Sequence, residues 1–278
     1  MKIAVLADVH ANFPALQAVT EHIDAWQPDV VVVAGDLVNR GPRPAECLSL
    51  VLERQRSQGW LLVRGNHEDY VIHQTRPKTP RSGPVFEVHR ASFWTCKQLG
   101  YQVAPLIAMP MQQLVADPAG GQVRIVHGSM LGNRDGIYPE THDRDLESKI
   151  APPPPLLVVG HTHLALVRRL NSTLVVNAGS AGLPFDGDTR AAYAQLTWQS
   201  GGWKARITRV DYDLAQAERD FFETGFAQEA GPLVRLVQVE LRQARAMLGG
   251  WVNRYQSRAL AGKIEMEESV VEFLSLNS

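Results

Sequence analysis

The chain has 278 residues, of which 45% are hydrophobic and 21% are charged, a composition typical of a globular protein with a sizeable core. Its formal net charge of -1 gives no general electrostatic basis for binding nucleic acid or a membrane surface. No stretch reaches the roughly 20 apolar residues of a membrane span. The short apolar run at the N-terminus ends in Asp8, so we predict a cytoplasmic protein without a signal peptide.

The first part of the chain alternates between buried strands and amphipathic helices. Uninterrupted apolar runs such as 29–34 are typical of strands covered on both faces, and the segment 13–26 repeats its apolar residues at helical spacing. The predicted order is strand 2–7, helix 13–26, strand Asp29–Ala34, helix Pro44–Gln58 and strand Trp60–Val63. Right-handed crossovers would make this sheet mostly parallel.

The segment Arg76–Pro84 is rich in proline and basic residues. It predicts a loop between two helices, the second of which runs from about Val85 to Leu99. One interpretation is a solvated connector, and the other is a rim that attracts a phosphate-bearing substrate.

Short strands follow, and Ser200–Gly202 predicts a hairpin turn. The predicted strands are Met111–Ala116, Gln122–Val126, Leu156–Val159, Ala165–Leu170, Leu174–Asn177, Ala191–Trp198 and Trp203–Val210. Both cysteines, Cys47 and Cys96, fall in predicted helices, where reduced, buried thiols are expected.

From Tyr212 onward the pattern is helical. It predicts helices over Leu214–Phe226 and Leu233–Met247, with helical character continuing to about Leu274. We therefore divide the chain into a main domain, 1–212, and a C-terminal helical extension, 213–278. The apolar stripe of these helices must be buried, either on the core of the same chain or on a second subunit. A homodimer through the C-terminal helices is one expectation from this stripe.

Five polar motifs each follow an apolar strand or the turn that ends one. The motifs are Asp8-Val9-His10, Gly35–Gly41, Gly65–Glu68, His127-Gly128 and Gly160–His163. Open α/β sheets bind ligands at the carboxyl ends of their strands, so the positions favour one shared site. Asp, Asn and His are ligands for borderline or hard divalent metals. Any one motif alone is weak support, but five in order predict a site for two metal ions, which suits phosphate-ester hydrolysis.

The spacing within the motifs adds detail. Residues two apart in an extended segment point to the same side, which holds for Asp8 with His10 and for His161 with His163. The Asp36 carboxylate has two oxygens and can bridge two cations. An amide oxygen of Asn66 and the imidazole of His127 complete the candidate ligands.

This combination of motifs closely resembles the calcineurin-like metallophosphoesterase superfamily, and the stretch 177–191 resembles its small prokaryotic phosphodiesterase-like branch. The resemblance covers about residues 1–225. It implies an α/β fold in which two mixed sheets form an α/β/β/α sandwich flanked by helices. It also implies that His67 lies near the leaving group. One metal would be held by Asp8, His10, Asp36 and His163, and the other by Asp36, Asn66, His127 and His161.

The hypothesis is therefore a phosphoesterase that uses two divalent metals, manganese by resemblance and iron, zinc, cobalt or nickel by ligand type. A metal-bridging hydroxide would attack a small phosphorylated substrate. His67, held by a carboxylate of Glu68 or Asp69, would protonate the departing oxygen. We favour a phosphodiesterase. The alternatives are a phosphomonoesterase of proteins or nucleotides, including dinucleoside polyphosphates, and a catalytically silent metal-binding scaffold.

Arg40 has two interpretations. Its planar guanidinium suits a phosphate clamp, which would favour the monoesterase, and a surface ion pair is the other. Substrate choice is expected to depend on three rim loops, Arg76–Pro84, Ser129–Lys149 and Leu183–Asp188. Of these, Ser129–Lys149 departs from what the resemblance leads us to expect.

Overall fold

The computed structural model describes residues 1–277, and its first sheet has five strands. Three parallel strands form its middle and one edge, and two antiparallel strands complete the other edge. The strands are β1 (Lys2–Leu6), β2 (Val30–Ala34), β3 (Leu61–Val63), β9 (Ala191–Gln199) and β10 (Gly202–Val210), in the spatial order β10-β9-β1-β2-β3. The hairpin predicted around residue 200 joins β9 to β10.

The second sheet is also mixed and has five strands. Two parallel pairings lie at its centre, and an antiparallel strand lies at each edge. The strands are β4 (Gln112–Ala116), β5 (Gln122–Val126), β6 (Leu156–Val159), β7 (Leu166–Leu170) and β8 (Thr173–Asn177), in the spatial order β4-β5-β6-β8-β7.

The two sheets pack face to face, because alternate residues of each strand point to opposite faces. Ile3 and Val5 of β1 lie in one buried cluster with Ile125 and Val158 of the second sheet. The alternate residues of the same strand, Ala4 and Leu6, face the helices on the other side. The predicted sandwich of two mixed sheets flanked by helices is confirmed.

The helices of the first 150 residues cover the outer faces of both sheets. They are α1 (Phe13–Trp26), α2 (Pro44–Gln58), α3 (Asn66–His73), α4 (Gly83–Gln98), α5 (Ala104–Ala108) and α6 (Asp143–Ile150). The Asn12 side chain caps α1 by accepting a hydrogen bond from the backbone of Ala15 at 3.2 Å. Leu146 and Ile150 of α6 pack on the outer face of the second sheet.

Several strand bounds differ from the sequence prediction by one residue, and two predicted loops contain helical residues. Gly83 and Pro84 belong to α4 and not to the preceding loop, because a proline fits the first turn of a helix, where its missing N–H needs no partner. The segment 129–149 contains α6, whose apolar residues are too few to give a clear period. Both cysteines are buried and unpaired, as predicted.

The C-terminal part forms shorter helices than the sequence predicted. They are α7 (Leu214–Glu223), α8 (Phe226–Glu229), α9 (Val234–Gln243), α10 (Leu248–Trp251), a π-helical turn (Val252–Gln256), α11 (Ser257–Leu260) and α12 (Met266–Ser275). The predicted helix 214–226 breaks at Gly225, which has a φ of 77°, and the predicted helix 233–247 ends at Ala244, which has a φ of 48°. A left-handed residue cannot continue a right-handed helix.

The apolar faces of these helices are buried within the chain. Leu236, Trp251 and Val270 form a core of the C-terminal part itself. Val237 and Phe226 instead join a cluster that includes Trp94 of α4. Among residues 1–277, no helix is both long and apolar enough to cross a membrane.

We predict that Phe226→Ala destabilises the whole chain. The Phe226 ring is fully buried and lies edge to face with Trp94, with ring centroids 4.7 Å apart, so its removal leaves a cavity between α4 and the C-terminal helices. We expect a loss of about 3–4 kcal/mol in the free energy of unfolding, measured by urea titration. Phe222→Ala is the matched control, because Phe222 is 55% exposed, and its effect should stay below about 0.5 kcal/mol. Equal losses in the two variants would contradict this role of Phe226.

Candidate metal centre

The polar motifs meet at one edge of the sandwich, where parallel strands of both sheets end. Asp8 follows β1, Asp36 follows β2 and His127 follows β5. Two backbone hydrogen bonds hold the first two loops together, from Asp8 N to Gly35 O and from His10 N to Asp36 O, each 3.0 Å long. The two loops lie side by side because β1 and β2 pair in parallel and end at the same edge of the sheet.

The backbone of the site is left-handed at five candidate ligands. Their φ angles are 55° at Asp8, 48° at His10, 54° at Asp36, 68° at His161 and 59° at His163. Non-glycine residues avoid this region, so each such position costs energy that the surrounding structure must repay. Backbone strain of this kind concentrates at functional sites.

Two glycines lie so close to the aspartate carboxylates that no side chain would fit at either position. A Cβ atom on Gly65 would lie 2.1 Å from Asp36 Oδ1, and one on Gly160 would lie 2.5 Å from Asp8 Oδ2. Both distances are shorter than any ordinary contact. These glycines therefore let the two aspartates lie against neighbouring loops.

The first group of candidate ligands consists of Asp8, His10 and His163, all buried. His10 Nε2 lies 3.1 Å from His163 Nε2, and His163 Nε2 lies 3.4 Å from Asp8 Oδ1. His163 Nδ1 donates to the carbonyl of Leu183, which leaves a lone pair on its Nε2. Asp8 Oδ1 is buried without a hydrogen-bond partner among the described residues.

The second group contains Asp36, His127 and His161, with Asn66 beside them. His127 Nδ1 donates to the Ala34 carbonyl over 2.8 Å, so Nε2 is the nitrogen that faces the site. His127 Nε2 lies 3.0 Å from Asn66 Oδ1. The His161 ring lies edge to face with the His127 ring, with centroids 5.1 Å apart.

Asp36 lies between the two groups. Its Oδ2 is 3.8 Å from His10 Nε2 and 3.3 Å from His127 Nε2, while its Oδ1 accepts a hydrogen bond from the backbone of His67 over 2.8 Å. One carboxylate oxygen thus faces ligands of both groups. A shared carboxylate is the arrangement that keeps two cations close together.

The charges in the site favour a cation. Burial alone would raise the pKa of Asp36, but the attraction of His127 and His67 lowers it well below the usual value. Burial opposes a charge on His127, yet Asp36 raises its pKa to about 10. Asp36 thus attracts positive charge to the site, and a divalent cation can replace a proton at such a position. The donor set and the unpartnered oxygen of Asp8 fit a metal ion.

His67 contacts an amide and not the predicted carboxylate. Asn39 Nδ2 donates to His67 Nδ1 over 2.9 Å and to Ser92 Oγ over 3.0 Å. The expectation that Glu68 or Asp69 holds His67 is wrong. Residues next to each other on a helix point in different directions, and α3 turns both carboxylates away from the His67 ring.

Glu68 and Asp69 have other partners. The two carboxylate oxygens of Glu68 accept hydrogen bonds from the backbone N–H groups of Asp36, Leu37, Val38 and Gly65, at distances from 2.8 to 3.2 Å. Burial and Asp36 raise the pKa of Glu68 to about 7. Asp69 accepts from Asn133 over 2.8 Å and lies 3.3 Å from Arg64.

Arg40 lies at the edge of the site and lines a narrow cleft together with His10 and Gly182. Burial, with a smaller effect from Arg40, lowers the pKa of His163 well below its usual value. Among the described residues 1–277, none forms a hydrogen bond or ion pair with Arg40. The structure thus contradicts the interpretation of Arg40 as a surface ion pair and leaves its guanidinium available to an anion.

Sequence reasoning missed several residues that support the centre. Asn39 lies inside the second motif, and its position next to Arg40 was the only sequence signal for a role at the centre. Phe185 stacks on His163 with ring centroids 4.2 Å apart. The Ser180 hydroxyl donates to the Asp8 carbonyl over 2.6 Å. Both lie in the stretch after β8, which the sequence singled out without assigning a contact.

Residues 1–201 match the sequence model of the calcineurin-like phosphoesterase superfamily domain. The chain belongs to this superfamily, as its motifs predicted.

Individual relatives agree with this assignment. The chain is 25% identical to the phosphodiesterase YfcE of Escherichia coli over 70% of this chain and 87% of that protein. It is 26% identical to an uncharacterized protein of Methanocaldococcus jannaschii over 77% of this chain and 89% of that protein. A metallophosphoesterase from Sphaerobacter thermophilus is similar in structure, with a TM-score of 0.67 and 29% identity over 88% of this chain and all (100%) of that chain.

We predict that Asp36→Asn removes both metals. The amide has lost the charge that attracts two cations and presents an N–H₂ group that cannot bind one. Metal analysis of the desalted protein should fall from about two ions per chain to fewer than one. Asp24→Asn is the matched control, because Asp24 is an exposed carboxylate paired with Arg54, and its metal content should match that of the unaltered protein. Two tightly bound ions in Asp36→Asn would contradict the bridging role.

Proposed function

We propose that this protein is a dinuclear-metal-dependent phosphodiesterase that acts on small phosphate esters. The observation that carries the proposal is the position of Asp36 Oδ2, 3.8 Å from His10 Nε2 and 3.3 Å from His127 Nε2. It gives two ligand groups a common carboxylate, which is the requirement for two neighbouring cations.

In this proposal Asp8, His10, Asp36 and His163 hold one ion, and Asp36, Asn66, His127 and His161 hold the other. When bound, two divalent cations would activate a water molecule for attack and offset negative charge on the phosphoryl oxygens. We propose manganese, on the resemblance to the family. The ligand set of imidazole, carboxylate and amide groups suits several transition metals.

The reaction adds water to phosphorus and breaks the bond from phosphorus to the departing oxygen, which takes up a proton. His67 is the residue proposed to act on that oxygen. Because Asn39 donates to His67 Nδ1, the ring of neutral His67 carries its hydrogen on Nε2. Nε2 is then the nitrogen that can donate toward a substrate oxygen.

Arg40 is proposed to contact a phosphoryl oxygen. Its guanidinium lies in the cleft beside His10, and among residues 1–277 none forms a hydrogen bond or ion pair with it, although its charge acts on Asp8 and Glu240. A planar guanidinium binds two phosphate oxygens at once. This contact would serve a monoester or a diester.

The preference for diesters rests on the similarity to a protein named as a phosphodiesterase, E. coli YfcE. A phosphomonoesterase and a silent metal-binding scaffold are the outcomes that a direct assay distinguishes. The cytoplasmic location and a homodimer through the C-terminal helices stay predictions from the sequence.

We predict that Asn39 acts through His67. His67→Ala should lower kcat by about 100-fold, because it removes a positioned hydrogen-bond donor to the departing oxygen, while the metal content stays unchanged. Asn39→Ala should lower kcat by about tenfold, and it should add little further loss in the His67→Ala background. Loss of metal from His67→Ala would make His67 a ligand, which its position near His10 and Asp36 also allows. Additive losses in the double variant would contradict the coupling of Asn39 to His67.

The experiment that tests the function compares bis-p-nitrophenyl phosphate with p-nitrophenyl phosphate as substrates. Metal-stripped protein is assayed with and without added manganese, and Asp36→Asn serves as the negative control. We expect the diester to react faster and only with the metal present. A faster monoester reaction would favour the phosphatase, and two bound metals without hydrolysis of either ester would favour the scaffold.

A further inference from the structure

A cation lies beside the aromatic neighbour of His67. The Arg134 guanidinium lies over the Tyr70 ring, with its carbon 4.8 Å from the ring centroid. The same Tyr70 ring lies edge to face with His67, and their centroids are 5.2 Å apart. A short chain of contacts therefore leads from His67 to an exposed positive charge.

The loop that carries Arg134 is fixed on both sides of this residue. Asn133 donates to Asp69 of α3 over 2.8 Å. Asp135 accepts from Ser129 and from Lys149. The residues on both sides of Arg134 thus have hydrogen-bond partners elsewhere. Among the described residues 1–277, no carboxylate pairs with Arg134 itself. The protein holds this guanidinium in place without neutralising it.

The other groups around Tyr70 do not offset the charge of Arg134. His89 lies 5.9 Å from Tyr70, measured between ring centroids, and burial, His73 and Arg134 together lower its pKa. The nearest acidic group on α3, Asp69, already pairs with Arg64 and accepts from Asn133. Among residues 1–277, the two carboxylates of this region, Asp69 and Asp135, already pair with Arg64 and Lys149, so an anion at this place would meet the charge of Arg134.

We propose that Arg134 and Tyr70 form a leaving-group subsite for an anionic group, such as a second phosphate, on the alcohol that departs. The proposal rests on the proposed function, because His67 marks the side on which the alcohol leaves. It names the substrate class as diesters or related phosphate compounds whose leaving side carries a negative charge. The segment 129–149, which departs from the family pattern, then supplies substrate selectivity through Arg134.

Two aryl esters test the subsite, methyl 4-carboxyphenyl phosphate and methyl 4-carbamoylphenyl phosphate. They have the same shape and differ in the charge of the leaving group. We measure kcat/KM for both with the manganese-loaded full chain and compare their ratio across variants. The intrinsic reactivity of each ester is the same for every variant, so a change in the ratio reports recognition of the charge.

The ratio is kcat/KM for the carboxylate ester divided by kcat/KM for the carbamoyl ester. Arg134→Gln should lower this ratio by about fivefold, the size expected of an exposed ion pair. Arg134→Lys keeps the positive charge and should retain part of the ratio, and added salt should reduce the ratio in the unaltered protein. Arg169→Gln is the matched control. Arg169 is exposed on β7 and pairs in register with Leu174, at the end of the second sheet far from the centre. The ratio measured for Arg169→Gln should therefore equal that of the unaltered protein.

An unchanged ratio in Arg134→Gln would overturn the subsite, as would a variant that loses the same factor on both esters. Hydrolysis of both esters with no preference by the unaltered protein would overturn the subsite and leave the phosphodiesterase proposal intact. If neither ester is hydrolysed with manganese bound, the phosphodiesterase proposal fails and the subsite fails with it.

Discussion

The centre depends on the buried carboxylate of Glu68. Its two oxygens accept four backbone hydrogen bonds, one from the loop after β3 and three from the loop after β2. A carboxylate that accepts several N–H groups fixes a loop more firmly than neutral acceptors do. The loop that carries Asp36, Asn39 and Arg40 is therefore tied to the helix that carries Asn66 and His67.

This connection links the fold to the chemistry. The parallel strands bring five loops to one edge of the sandwich, and each loop has a left-handed residue or a glycine within two residues of its strand. Those backbone positions cost energy, which the packed sheets and the buried hydrogen bonds repay. The result is a set of candidate ligand atoms that the fold holds within 4.8 Å of one another in each group.

The C-terminal helices take part in the same arrangement. Ala217, Phe221, Val237 and Leu241 line the narrow cleft that also contains His10 and Arg40. The apolar wall of this cleft belongs to α7 and α9, which lie beyond the residues matched by the family model. The extension therefore shapes the surroundings of Arg40, and the opposite side of the centre is shaped by the segment around Arg134.

Much of the fold and the ligand set was predictable from local pattern. Continuous apolar runs located the central strands, and β5 and β6 begin and end where the sequence placed them. The seven candidate ligands lie together because each follows a strand whose direction the pattern also indicated. The predictions missed α6, where the apolar period is weak. They were also wrong at Gly225 and Ala244, where a single left-handed backbone angle ends a helix.

The sequence by itself determined the parallel opening of the first sheet and the kinds of ligand at the centre, because hydrophobic period and motif spacing are properties of the chain alone. The resemblance carried by those motifs implied the family and, through it, the sandwich. Only the tertiary structure decided the partners of individual polar groups. It places Asn39 against His67 and Glu68 against the loop of Asp36, and within residues 1–277 no carboxylate forms an ion pair with Arg40 or Arg134. Such pairings join residues far apart in the chain and depend on side-chain direction, which no local spacing specifies.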